Sequence, residues 1–163
     1  FFEARPLEAP ALFGVSWAGE ETSAGWFDVG REFTELWHHQ MQIRLAVGAA
    51  PLSDARYLKA VLDISVRALP HVYRDASADE GATIAIAIEG AAGGHWALRR
   101  ESGRWTISAG TPDRADARAR LSDDNAWRLL YNALTPAQAS AAVAIDGRAE
   151  LVAPLLRARS VIV

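Results

Sequence analysis

The 163-residue chain has no cysteine. Disulfides and a cysteine nucleophile are therefore excluded, and any thiol chemistry here would use a thiol brought by another molecule. It also has almost no lysine: Lys59 stands alone against many arginines, and alanine is abundant. No apolar run approaches membrane-spanning length and no basic-then-apolar leader is present in the sequence, so membrane insertion is not expected and a cytoplasmic location is. Basic excess is missing too. With 17 Lys and Arg against 20 Asp and Glu, the net charge is −3, which argues against a general nucleic-acid binder. The opening Phe1-Phe2, without an initiator methionine, suggests a fragment or a trimmed chain.

What remains is 50% hydrophobic, enough for a true core. The length suits one compact domain with a smaller element attached. We divide it at residue 50, into a helical part (1–50) and an α+β part (51–163).

Residues 1–25 read as irregular, with Pro6, Pro10, Gly14, Gly19 and Gly25 interleaved with aromatic residues. The pattern then predicts a helix over 26–47, stopped by Gly48. A second helix is predicted near 54–69, broken or kinked by Pro70. From residue 83 the period changes from helical to alternating: Thr83-Ile84-Ala85-Ile86-Ala87-Ile88-Glu89 places three isoleucines on one side. Further strands are predicted near 95–100, 104–109 and 115–121, and a fifth over 143–146. They are expected to pair consecutively as an antiparallel sheet, the fifth at an edge or inserted. Helices near 124–134 and 149–157 should cover one face, with Asp123 or Asp124 as cap of the first. The fold class is thus α+β, an N-terminal helical segment followed by an antiparallel sheet of about five strands packed with helices on one face.

Chemistry concentrates in Arg31-Glu32-Phe33-Thr34-Glu35-Leu36-Trp37-His38-His39-Gln40-Met41-Gln42-Ile43-Arg44. At about 100° per residue, Val29, Phe33, Leu36, Ile43 and Val47 form an apolar stripe. His39 falls about 80° to one side of it, near Glu32 and Glu35, while His38 falls on the far side. Glu35 and His39 are i, i+4 neighbours that could share one ion; the plain alternative is a solvated Glu–His pair. The orientation expected is Glu35 and His39 toward the packed or partner-facing side, and His38 away from it.

The strands supply a second candidate. With the isoleucines, Trp96, Leu98, Trp105 and Ile107 in the core, the other face carries Thr83, His95, Arg99, Thr106 and Ser108, joined by Arg118 and Arg120. Three arginines among hydroxyls can bind a carboxylate or similar anion; the plain alternative is the wet side of a one-faced sheet. Ala85, Ala87 and Ala97 leave room there for a ligand or a close helix. The segment 90–94 is glycine-rich but joins two strands, so it reads as a hairpin and not a phosphate loop. His71, just after Pro70, reads as a helix-end packing residue.

Glu35-Leu36-Trp37-His38-His39, with Gln42-Ile43-Arg44 beyond it, resembles the third-helix metal motif of the mycothiol-dependent maleylpyruvate isomerase family. That family begins with a DinB-like four-helix bundle. From about residue 55 onward the chain resembles the family's C-terminal domain, which is similar to sterol-carrier-protein-2 (SCP2) folds. The segments that carry this are Leu69-Pro70-His71-Val72-Tyr73-Arg74, Gly93-Gly94-His95-Trp96-Ala97-Leu98, Ala126-Trp127-Arg128-Leu129 and Ile145-Asp146-Gly147. The resemblance makes residues 1–50 the remnant of the bundle and 51–163 an SCP2-like α+β domain.

The resemblance implies zinc or another divalent metal held by Glu35 and His39 together with a histidine from an earlier helix, which has no counterpart in this sequence. It implies mycothiol as the thiol cofactor, converted to a thiolate that adds reversibly to an activated double bond and so isomerises the substrate. It also implies an active-site arginine from the C-terminal domain, with Arg99, Arg118 and Arg120 as candidates. The rival reading is an SCP2-like binding module for a lipid or other hydrophobic small molecule. Separated from bundle partners, the helix over 26–47 would show its stripe to water, which favours a homodimer.

Overall fold

The computed structural model describes residues 6–160. Residues 6–25 remain irregular but are tied down: the Trp26 amide donates to the Leu7 carbonyl at 2.8 Å, and the Leu12 amide to the Asp28 carboxylate at 2.8 Å. Helix α1 (Trp26–Ala46) follows, with Asp28 in its first turn and Arg44 in its last, both matched to the helix dipole. Helix α2 (Ala55–Ser65) is capped by Asp54, whose side chain accepts from the Arg56 amide. It buries Leu58, Val61, Leu62 and Ser65 at helical spacing. A single 3-10 turn leads into α3 (Leu69–Val72), which holds Pro70 in its first turn, where proline loses no helix hydrogen bond.

Five strands form one sheet: β1 (Thr83–Glu89), β2 (Gly94–Glu101), β3 (Arg104–Ala109), β4 (Ala117–Ser122) and β5 (Ala144–Gly147). The β2–β3 turn holds Ser102 and Gly103 at φ 50° and 73°, the paired positive values that a two-residue hairpin's twist requires. Between β4 and β5 lie α4 (Asp123–Leu130) and α5 (Pro136–Ala142), and α6 (Ala149–Val152) follows β5. Ser122, not Asp123 or Asp124, caps α4, accepting from the Asn125 amide at 3.1 Å. Thr135 and Gln138 close a reciprocal capping box on α5, as the Thr-Pro start foretells.

The strand order is β3-β2-β1-β4-β5. The consecutive antiparallel order holds for β1–β2, β2–β3 and β4–β5, with β5 at an edge. It is corrected at β4, which does not pair with β3 but runs parallel to β1, Ile84 opposite Ala117, so the sheet is mixed. Asp116 directs this joint. Its amide donates to the Thr83 carbonyl and its carboxylate accepts from the Thr83 amide, each at 2.8 Å, so the chain enters β4 already bonded to β1. Residues 110–116 therefore cross the sheet from the β3 edge to the far side of β1.

One face of the sheet is the core face: Ile84, Ile86, Ile88, Trp96, Leu98 and Trp105 are buried, as expected, and Ile107 is half-buried. Each such side chain contributes about 1.5–3 kcal/mol by leaving water. Trp37 and Met41 bring α1 into the same core, where Trp37 meets Trp127 edge-on with ring centres 5.4 Å apart.

Candidate functional site

The histidine pair of α1 is oriented opposite to expectation. His38 is buried at 8% exposure, whereas the His39 side chain is 65% exposed. The packed face runs through Phe27, Gly30, Thr34, Trp37, His38 and Met41. Small Gly30 and Thr34 let α1 approach α2, since a β-carbon on Gly30 would lie 3.2 Å from Ile64 Cδ1. The aliphatic stripe is the outer face: Val29, Leu36, Ile43 and Val47 are 41%, 68%, 57% and 70% exposed. Aliphatic count alone picks the wrong side. The signal available in the sequence is the 3–4 spacing of aromatic and small residues, Phe27, Gly30, Thr34, Trp37 and Met41.

His38 lies 4.8 Å, ring centre to ring centre, from Tyr131. Burial holds its pKa below 6.5, helped by the neighbouring His39 and opposed by Glu35. Glu35 Oε2 is 3.6 Å from His39 Nε2, and His39 Nδ1 is 3.0 Å from Gln42 Oε1. The i, i+4 geometry is therefore present, on the outside of the helix. Among the described residues no group of three or more His, Cys, Asp and Glu side chains gathers to hold a metal. Two donors do not meet the three protein ligands that a catalytic zinc site uses, so the described residues do not by themselves fit the metal.

The open face of the sheet is where the three arginines meet. β2 and β4 flank β1, so registry sets Arg118 beside Ala85, Arg120 beside Ala87, and Arg99 beside Thr83. His95 lies on the other side of Ala87 from Arg120, about 10 Å away across two strand spacings. Alanines make the floor: Ala85, Ala87 and Ala97 leave a trough that longer side chains would fill.

The crossing segment forms the wall. Thr111 and Pro112 close a hollow of about 190 Å³ over Ala85 and Ala87, with His95, Arg118 and Arg120 at its margin. Its lining is mostly apolar. Toward the β3 edge, Arg99, Thr106, Ser108 and Asp113 line a wider depression of about 380 Å³. A third, of about 530 Å³, joins Arg99 and Arg118, with Arg114 and Asp116 also in its lining.

The guanidiniums differ in how far they are committed. Arg99 donates to Thr83 Oγ1 at 3.1 Å and lies 3.6 Å from Glu101. Arg118 lies 3.4 Å from Asp146 of β5. Arg120 has no hydrogen-bond or ion-pair partner among the described residues. An apolar hollow with one uncommitted guanidinium and an imidazole at its rim suits a small molecule with an apolar body and an anionic end. The contribution of Thr111 and Pro112 was not foreseen, because a loop's path over a sheet depends on strand order.

No protein-family model matches the chain, and no curated protein does. Neither supports the resemblance to maleylpyruvate isomerases. Among solved structures, the chain is similar to Sterol Carrier Protein 2 Like 2 from Aedes aegypti, at 15% identity over 70% of this chain and 96% of that one, with a TM-score of 0.41. It is similar to Sterol Carrier Protein 2 from Yarrowia lipolytica in its apo form, at 15% identity over 90% of this chain and 94% of that one, TM-score 0.37. It also overlaps the sec-alkylsulfatase Pisa1 from Pseudomonas sp., at 12% identity over 83% of this chain but 32% of that one, TM-score 0.38. At such identities and scores these likenesses assign neither a family nor a function.

Proposed function

We propose that the chain is a binding module for a small hydrophobic molecule with an anionic end, seated on the open face of the sheet. The observation that carries this reading is the hollow of about 190 Å³ over Ala85 and Ala87, apolar in lining, with the unpaired Arg120 at its margin. It is smaller than the ~300–1,000 Å³ of typical drug-sized pockets, so it takes one short apolar group. A longer molecule would continue into the depression that shares Arg118. Calorimetric titration with octanoate and with octanol tests the reading. Octanoate is expected to bind, Arg120→Ala to weaken it about tenfold, the loss of one charge-assisted contact, and Ala87→Leu to abolish binding of both probes. No binding of either probe, or octanoate binding that neither substitution alters, would overturn it.

A second reading is carried by Glu35 and His39, 3.6 Å apart. In it the chain is part of a metal-dependent, mycothiol-using isomerase or thiol transferase. The pair would supply two donors and a residue outside 6–160, or on another molecule, the third. Bound zinc would supply a charge that favours thiolate over thiol. Zinc titration of the parent protein and its His39→Ala variant tests this: the substitution should lower affinity at least about tenfold, and unchanged affinity refutes it.

A further inference from the structure

A second basic concavity lies on the helix-covered side of the sheet, opposite the hollow described above. It runs from the β2–β3 hairpin to the segment after α6, and its two halves meet at His71 and Arg74. One half, about 230 Å³, includes Arg100 and Arg104. The other, about 350 Å³, includes Arg157, Arg159 and Trp17. Neither half has a carboxylate in its lining.

That is unusual in a chain with more acidic than basic side chains. Carboxylates close by in the chain are engaged: Glu101 lies 3.6 Å from Arg99, Glu80 accepts from the backbone amides of Ser102 and Gly103, and Asp75 lies 3.3 Å from Arg74 of the groove itself. The guanidiniums of Arg100, Arg104 and Arg157 have no hydrogen-bond or ion-pair partner among the described residues.

Two other guanidiniums are anchored, Arg159 by neutral oxygens alone and Arg74 partly by Asp75. Arg74 donates to the His71 carbonyl at 2.9 Å. Arg159 donates to the Leu129 carbonyl at 3.0 Å and to Asn132 Oδ1 at 2.7 Å. Neutral oxygens fix the direction of Arg159 and leave its charge available, whereas the charge of Arg74 is shared with Asp75. His71 is held as well, because Gly19, at φ 72°, leaves the space its ring occupies: a β-carbon there would fall 2.6 Å from Nδ1. The histidine thus sits midway along a groove of five arginines, with the Trp17 indole as one wall.

Like charges gathered this way repel, and they do so least when an anion of high charge density lies between them. Guanidinium forks match phosphate oxygens in pairs, and an imidazole adds a further donor. We infer that this groove is a second binding site, for a phosphate group carried by a small molecule or by a lipid headgroup. Its place opposite the open sheet face makes it independent of the site proposed above.

Amide NMR spectra of the full chain, titrated with inorganic pyrophosphate at low salt, test the inference. Pyrophosphate is expected to shift the amides of 71–74, 100–104 and 157–159 and to spare those of 85–87 and 118–120. Arg104→Ala with Arg157→Ala should weaken binding at least about tenfold, since neither guanidinium supports the fold. Arg118→Ala should leave it unchanged. Sedimentation with phosphatidylglycerol vesicles but not phosphatidylcholine vesicles, lost in the same double variant, would assign the phosphate to a headgroup. If neither pyrophosphate nor anionic vesicles engage these amides, or the double variant binds as the parent does, the inference is wrong.

Discussion

Single residues decide several joints of this fold. Gly147 ends β5 at φ 82°, and a β-carbon there would lie 2.4 Å from the Asp116 carbonyl oxygen. Gly147→Ala is therefore expected to destabilise the chain by about 1–3 kcal/mol, through both the left-handed backbone and the clash, as thermal or urea unfolding would show. Tyr131 shows the opposite kind of dependence. Burial pushes its pKa up to about 12, and its hydroxyl lies 3.0 Å from Ser65 Oγ, which itself donates to the Val61 carbonyl. Tyr131→Phe leaves Ser65 still bonded, so its cost should be no more than about 1 kcal/mol in the same measurement.

Asp54 gives a pH dependence of known sign. Hydrogen bonds from the Arg56 side chain and backbone hold its carboxyl below its ordinary 3.8. A depressed carboxyl stabilises the fold above pH 3.8, and that contribution fades as pH falls through the lower folded value. Asp54→Asn keeps the cap but not the titration, so its Tm should vary less than the parent's between neutral and strongly acid pH. Equal slopes would show that the cap contributes nothing through its charge.

At the scale of elements, α1 has two usable faces. The inner one is packed; the outer one repeats at 4 and 3, Val29, Phe33, Leu36, Gln40, Ile43 and Val47, the spacing of a coiled-coil seam with one polar position. An antiparallel pairing of two copies that matches this seam would set Val29 opposite Val47, Phe33 opposite Ile43 and Leu36 opposite Gln40. The chain is therefore expected to dimerise with rising concentration, and Leu36→Asp with Ile43→Asp to abolish this, as light scattering would read. A parent chain that stays monomeric throughout would refute the pairing. The β3–β4 connection is the other telling element. Its residues make the wall of the open-face hollow while Asp116 registers β4 on β1, so one segment serves both topology and site.

For the whole molecule, the histidine motif and the arginine face lie apart in character: one an exposed pair on a helix, the other an apolar trough with basic margins. The described residues gather no group of three or more metal-binding side chains. Adding zinc or a chelator to the isolated chain should accordingly move its Tm by no more than a degree or two, because a two-donor site binds the ion weakly and weak binding adds little stability. A large zinc-dependent rise would mean that a third ligand comes from residues outside 6–160 or from a second copy of the chain. No helix among the described residues is long and apolar enough to cross a membrane.

Local pattern was enough for the elements and for one side of the sheet. Ile84, Ile86 and Ile88 alternate with small residues, and period two admits only one buried face, so Arg99, Arg118 and Arg120 had to share the other. The Thr135-Pro136 helix start and the Ser102-Gly103 turn are local in the same sense: the backbone conformation that these residues permit is set within a few positions. The parallel joint of β4 with β1 was not legible, because pairing partners distant in sequence are chosen by the whole packing, here by Asp116 reaching Thr83. Nor was the direction of α1. Its aliphatic stripe looked like the buried side, yet close approach to α2 favours the face with Gly30, Thr34 and Trp37. Tertiary structure alone also brought Arg100, Arg104, His71 and Arg157 to one groove, since side chains from three separate segments meet only after the chain has folded.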